Sequence, residues 1–199
     1  MGARIGVLGG TFDPIHYGHL AIAQEALAVL GLERVLLVPA GRQPLKHGAH
    51  VASPRQRIEM VQLACAGNQA FEASPIEVDR PGLSYTVDTL EELHAAGLGE
   101  LHFILGADAL ADLHRWRAAP RLAQLARIVA MARPGHTPDL AALDRKLPGA
   151  GERITVIDGP RLEISSSDLR RRIAVGRPIR YMTPDAVVEY IAAHGLYQA

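Results

Sequence analysis

The stretch Ile5-Gly6-Val7-Leu8-Gly9-Gly10-Thr11-Phe12-Asp13-Pro14-Ile15-His16-Tyr17-Gly18-His19-Leu20 decides how the rest of the chain is read. Its apolar opening, Ile5 to Leu8, has the composition of a buried strand. Beyond it Leu20, Ala23, Leu27 and Leu30 recur at the spacing of one helix face, so the order is strand, glycine turn, helix. Gly9 and Gly10 let the backbone come within contact distance of a ligand, and Pro14 stiffens the approach. A helix opening near Tyr17 or Gly18 offers unpaired N–H groups and a positive dipole end. His16 and His19 stand three apart across its first turn, close enough for both imidazoles to face one anion. The stretch is a candidate phosphate site, although neither G-x-G-x-x-G nor G-x-x-x-x-G-K-[ST] occurs in the chain.

Working outward, apolar β-rich runs recur at Ile5–Leu8, Val35–Val38, Phe71–Val78 (interrupted by Pro75), Leu101–Leu105, Ile128–Met131 and Ile154–Ile157. Helical patterns fall between most of them, at about Gly18–Leu30, Pro54–Ala66, Tyr85–Ala96, Leu122–Ala126 and Leu140–Leu147. This alternation implies βαβ units, hence an α/β doubly wound fold with a mostly parallel sheet. Two helices end the chain, one from about Ser166 to Val175 and one from Pro184 to about His194. Thr183 is the expected N-cap of the last and Gly195 its stop. In a sheet ordered 3-2-1-4-5, strands one and four are neighbours where the winding reverses, and ligands sit beyond their carboxyl ends. Gly9-Gly10 and Leu105-Gly106-Ala107-Asp108 would then share one crevice. Asp108 is either a hydroxyl acceptor there or the N-cap of the next short helix.

A second phosphate candidate is Ile164-Ser165-Ser166-Ser167-Asp168-Leu169-Arg170, which opens the helix after the last strand. Taken alone it is an ordinary capping arrangement. Hydroxyls and free N–H groups at a helix start also hold phosphates, and Arg170 adds charge-assisted bonds. The loop from Pro39 to Pro54, with Arg42, Lys46, His47 and His50 and followed by Arg55 and Arg57, carries little acid and would attract an anionic acceptor. His16-x-x-His19 and His47-x-x-His50 make a poor zinc site, with no thiolate support, so no protein-held metal is expected.

The 199 residues are 48% hydrophobic, enough for one domain with a real core. Basic and acidic residues balance at 21 each, with a sequence pI near 7.1, which gives no reason to expect nucleic acid or an anionic membrane as partner. The chain shows no charged-then-apolar leader and no apolar run of membrane-span length, so a soluble, cytoplasmic protein is expected. Cys65 is the only cysteine and reads as core filler on a helix with Ile58, Val61 and Leu63. Oligomeric state is left open, a homo-oligomer included.

The string Gly10-x-Phe12-x-Pro14-x-His16-x-Gly18-His19 resembles the signature of the HxGH nucleotidyltransferase superfamily. The serine stretch resembles that superfamily's second motif, Ile-Ser-Ser-Thr-x-x-Arg, with Ser167 in place of the usual Thr. Over nearly its full length the chain looks like the bacterial nicotinate-nucleotide adenylyltransferases. The further supports are Ser84-Tyr85-Thr86-Val87-Asp88-Thr89-Leu90, Phe103-Ile104-Leu105-Gly106-Ala107-Asp108, His114-Arg115-Trp116 and Ala132-Arg133-Pro134-Gly135. The loop around Lys46 departs from the commoner Pro-His-Lys ending by reading Pro44-Leu45-Lys46.

The resemblance implies a Rossmann-like nucleotidyltransferase fold and adenylyl transfer from ATP to nicotinate mononucleotide, a late step of NAD biosynthesis, with Mg²⁺ accompanying ATP. His16, His19 and Arg170 would act on the phosphates. Gly9, Gly10, Thr11, Phe12, Gly18, Gly106, Asp108, Ile164, Ser165, Ser166 and Ser167 would line the ATP side, and Lys46, Tyr85, Thr86, Trp116 and Arg133 the acceptor side. The alternatives are another phosphorylated acceptor, such as nicotinamide mononucleotide or phosphopantetheine, and a non-catalytic nucleotide-binding module.

Overall fold

The computed structural model describes residues 2–42, 52–132 and 138–198. The predicted strands form one sheet, with β1 (Arg4–Gly10), β2 (Arg34–Pro39), β3 (Phe71–Ala73), β4 (Glu100–Gly106), β5 (Ala126–Ala132) and β6 (Ile154–Asp158). The strand order is β3-β2-β1-β4-β5-β6, which extends the expected 3-2-1-4-5 by a sixth strand. The pairs β1–β4, β4–β5 and β5–β6 are parallel. Leu101 to Leu105 of β4 are all buried, the mark of a strand covered on both faces. Because β1 and β4 are direct neighbours, with Leu8 opposite Ile104, the reversal of winding lies where it was expected.

The helices are α1 (Tyr17–Leu30), α2 (Pro54–Cys65), α3 (Thr86–Ala95), α4 (Ala107–Leu110), α5 (Ala119–Leu125), α6 (Leu140–Lys146), α7 (Ser166–Ala174) and α8 (Asp185–Ala193). Helix α2 opens with a full capping box: the Ser53 hydroxyl accepts from the Gln56 N–H, and the Gln56 side chain accepts from the Ser53 N–H. Residues pack into two compact units. One comprises Met1–Gly9, Ile22–Leu36 and Tyr85–Arg161, around Ile5, Leu90, Leu101, Ile104, Leu113 and Ile128. The other comprises Gly10–Ala21, Leu37–Ser84 and Leu162–Ala199, around Phe12, Ile15, Leu37, Ile58, Met60 and Leu169.

Several expectations need correction. The third strand stops at Ala73 instead of reaching Val78, because Pro75 has no N–H for a ladder and its carbonyl instead accepts from Asp79 in a turn. Helix α5 ends at Leu125, and Ala126 already belongs to β5. Thr183 is not the N-cap of α8: Pro184 holds that position, without a side-chain cap, and the Thr183 hydroxyl is used elsewhere. Gly106, not Asp108, caps α4, and Asp108 is an exposed residue of its first turn. The expectation for Cys65 needs none: it is buried with Ile58 and Val61, and burial pushes its thiol up to about 11, while Leu63 on the same helix faces out at 37% exposure.

Candidate active site

Both phosphate motifs fall in the same unit, and the structure joins them. His16 is buried and His19 half-buried, with their rings stacked at 3.7 Å between centroids and 23° between planes. The edge of the Phe12 ring meets His19 at 4.9 Å and 82°. Phe12 holds that place with φ of 52°, a left-handed conformation uncommon for a bulky residue. Gly18 lies close against the His16 ring, since a Cβ there would stand 3.0 Å from it. Burial lowers His16 to about 4 and holds His19 well below the ordinary imidazole value, with the charge of His16 adding to the effect on His19. Both rings are therefore neutral near pH 7. The Nδ1 of His19 accepts from the His16 backbone N–H at 3.3 Å, which leaves the proton on Nε2. The Nδ1 of His16 is buried without a hydrogen-bond partner.

The loop between β1 and α1 is held by its carbonyls. Gly10 accepts from the Ala40 N–H at 2.8 Å and Thr11 from Arg57 at 2.8 Å. Asp13 accepts from Arg170 at 2.6 Å, Pro14 from the Ser166 hydroxyl at 2.9 Å and Ile15 from the Thr183 hydroxyl at 2.7 Å. A trans peptide is planar, with C=O and N–H pointing opposite ways. Turning these carbonyls toward protein donors therefore turns the N–H groups of Phe12 and His16 the other way. Oxygens that would repel a phosphate are drawn aside.

Arg170 and Ser166, expected at the triphosphate, also brace the histidine loop. Ser165 caps α7 by accepting from the Asp168 N–H at 3.2 Å. Arg170 also donates to the Ser167 hydroxyl at 3.4 Å. A guanidinium has five N–H groups, so three remain for another acceptor. The carbonyl of Ile164 lies 3.5 Å from where a Gly18 Cβ would stand.

Behind the loop sits a buried polar cluster that single-residue reading missed. Arg57 is 1% exposed and donates to the carbonyls of Thr11 and Gly41, the latter at 3.1 Å. Burial lowers its pKa, opposed first by the charge of Asp13. Asp13, also 1% exposed, accepts from the Tyr197 hydroxyl at 2.7 Å and from the Ala52 N–H at 3.3 Å, with Arg170 3.9 Å from its other oxygen. By residue type Arg57 is one more cation following a basic loop; only its burial distinguishes it.

The acceptor-side residues Tyr85, Thr86 and Trp116 belong to the other unit, with Gly9, Gly106 and Asp108. Trp116 is half-buried, its ring edge-on to Phe103 at 6.0 Å and 70°. Tyr85 stands at the N-cap of α3 under the Arg117 guanidinium, 4.5 Å from the ring centroid, while Arg117 pairs with Asp88 at 3.4 Å. Arg117 lay outside the expected site. A Cβ on Gly106 would meet nothing within 4 Å, so open space adjoins the end of β4. Lys46 and Arg133 lie outside the described residues.

The cytidylyltransferase-like family profile matches residues 7–172. A protein of Roseiflexus sp. (strain RS-1) named "Probable nicotinate-nucleotide adenylyltransferase" is 63% identical over 98% of this chain and 98% of its own. One of the same name from Herpetosiphon aurantiacus is 49% identical over 98% and 99%. The chain belongs to the nicotinate-nucleotide adenylyltransferase family. The fold of that family also appears in the Plasmodium falciparum nicotinic acid mononucleotide adenylyltransferase complexed with NaAD, at TM-score 0.79, 20% identity and 98% and 97% coverage.

For a member of this family, the arrangement supplies neutral imidazoles and one braced guanidinium. Among the described residues no group of three His, Cys, Asp or Glu could hold a metal ion, and no helix is long and apolar enough to cross a membrane.

Proposed function

We propose that the chain transfers the adenylyl group of ATP to nicotinate mononucleotide, giving nicotinate adenine dinucleotide and pyrophosphate. A phosphate oxygen of the mononucleotide attacks the α-phosphorus of ATP. The bond from that phosphorus to the α,β-bridging oxygen breaks, and its electron pair departs with pyrophosphate. The attacking oxygen is already ionised near pH 7, so the protein need supply neither nucleophile nor base. Its work is alignment and stabilisation of charge on the oxygens.

The observation that carries this reading is the bracing of the histidine loop by the serine helix, through Ser166 to Pro14 and Arg170 to Asp13, across more than 150 residues of sequence. His19, with its proton on Nε2, donates to the α-phosphate, His16 stands stacked beside it, and Arg170 serves the β,γ side with its remaining N–H groups. Gly9, Gly10, Thr11, Phe12, Gly18, Gly106, Asp108 and Ile164 to Ser167 belong to the ATP side, and Lys46, Tyr85, Thr86, Trp116 and Arg133 to the acceptor side. His16, His19, Arg170 and the serines are nitrogen and hydroxyl groups, and Asp13 and Asp168 are already engaged by Tyr197 and Arg171, which suits a Mg²⁺ that arrives with ATP and keeps phosphate and water ligands. When bound, the ion offsets charge on the phosphate oxygens.

The test is pyrophosphate release from ATP and Mg²⁺ with nicotinate mononucleotide, nicotinamide mononucleotide, phosphopantetheine and flavin mononucleotide offered in turn. Fastest release with nicotinate mononucleotide is expected. Turnover with none of the four would replace the enzyme by a nucleotide-binding module.

A further inference from the structure

Thr183 is 0% exposed, and its hydroxyl donates to the Ile15 carbonyl at 2.7 Å. It caps no helix, so a polar group has been buried for one acceptor. Ile15 is itself 0% exposed, and its carbonyl belongs to the same planar peptide group as the His16 N–H. That N–H, pointing the opposite way, donates to His19 Nδ1 at 3.3 Å. The residue before Thr183 adds a second strut, since the Met182 carbonyl accepts from the Tyr17 N–H at 3.0 Å. The peptide group between Ile15 and His16 is thus gripped at its oxygen by one side chain and grips His19 with its nitrogen.

We propose that Thr183 is a positioning residue for His19: by fixing the Ile15–His16 peptide plane, it keeps the backbone N–H on Nδ1 and leaves Nε2–H as the donor presented to ATP. The inference rests on the reading of His19 as a phosphate donor. Two effects act together. Fixing the plane holds the N–H in line with the ring, and a hydrogen bond accepted at the carbonyl polarises the same amide and strengthens its N–H as a donor. Without the hydroxyl, a buried carbonyl is left unsatisfied and the peptide group rotates toward another donor, taking the His16 N–H off the ring.

Thr183→Val removes the hydroxyl at nearly constant shape, and Thr183→Ser restores it. In the unchanged protein, ¹⁵N-histidine NMR should show His19 protonated on Nε2 with Nδ1 an acceptor. Thr183→Val should shift His19 toward the Nδ1–H tautomer and lower kcat by on the order of 10- to 100-fold, the size expected for a misplaced catalytic group, with little change in acceptor KM. Thr183→Ser should recover both the spectrum and most of kcat. A folded Thr183→Val protein with unchanged tautomer and kcat would overturn the inference. So would Nδ1 protonation of His19 in the unchanged protein, a measurement that stands even if the variant does not fold. His19→Ala run alongside separates the two claims: full activity there defeats the reading of His19 itself.

Discussion

The hydroxyl of Tyr197 lies 2.7 Å from a carboxylate oxygen of Asp13, across 184 residues of sequence, and both side chains are buried. Burial, reinforced by the bond to Asp13, pushes the tyrosine pKa far above its ordinary value, so the hydroxyl remains a donor at any working pH. This contact ties the end of the chain to the loop that carries the histidines. Tyr197→Phe leaves the Asp13 oxygen one donor short and should cost about 1–3 kcal/mol in urea unfolding. An unchanged midpoint and slope would mean that Asp13 needs no help from the tyrosine.

His19 touches Phe12 and His16 but keeps part of its surface open, so its removal should spare the fold and strike the reaction. His19→Ala should lower kcat by on the order of 100- to 1000-fold while unfolding stays cooperative, the usual consequence of losing one donor to developing charge. Steady-state kinetics with a parallel thermal melt checks it, and kcat within a few-fold of normal would remove the ring from the mechanism.

The depressed pKa of His16 has a consequence for the unliganded protein. Between about pH 6.5 and pH 4 the unfolded chain takes up a proton on this residue that the folded protein refuses. Stability from this source is therefore present above pH 6.5 and lost as pH falls toward 4, by about 3 kcal/mol in all. His16→Asn should show a correspondingly shallower loss between pH 7 and pH 4.5 in urea titrations, and identical slopes for the two proteins would contradict the burial argument.

Gly41 is held where no side chain fits: a Cβ there would stand 2.2 Å from the Glu77 carbonyl oxygen and 2.8 Å from the Ser84 hydroxyl. The Gly41 N–H already donates to that hydroxyl, and its carbonyl accepts from Arg57. Gly41→Ala should destabilise by about 1–3 kcal/mol because backbone must move, and Gly67→Ala, with nothing within 4 Å, should not. Equal stability of the two variants in thermal unfolding would show that the close approach relaxes at no cost.

Much of the fold was legible from short-range pattern. Apolar runs marked β1, β2, β4, β5 and β6, and the spacing of Leu20, Ala23 and Leu27 marked α1. Element ends shifted by a few residues, and the larger differences came where a residue's partner is distant. Thr183 before Pro184 reads as a cap because a hydroxyl ahead of a helix usually serves its own backbone, yet here a carbonyl 168 residues away claims it. Cys65 is buried as its residue type suggests, while Leu63 on the same helix faces out. Arg57 reads as a surface cation, and only the carbonyls of Thr11 and Gly41 converging on it make a buried guanidinium tolerable.

The sequence by itself determined the order of strands and helices, the two glycine- and serine-rich helix starts, and the chemical kind of group each offers, because these depend on periodicity and on residue types close together in the chain. Tertiary structure alone decided the protonation of the histidines, the occupation of Arg170 and Ser166 by the carbonyls of Asp13 and Pro14, and the burial of Asp13 with Tyr197 and Arg57. Those properties depend on desolvation and on hydrogen-bond partners distant in the chain, up to 184 residues away, and no local pattern encodes which distant donor will meet which carbonyl.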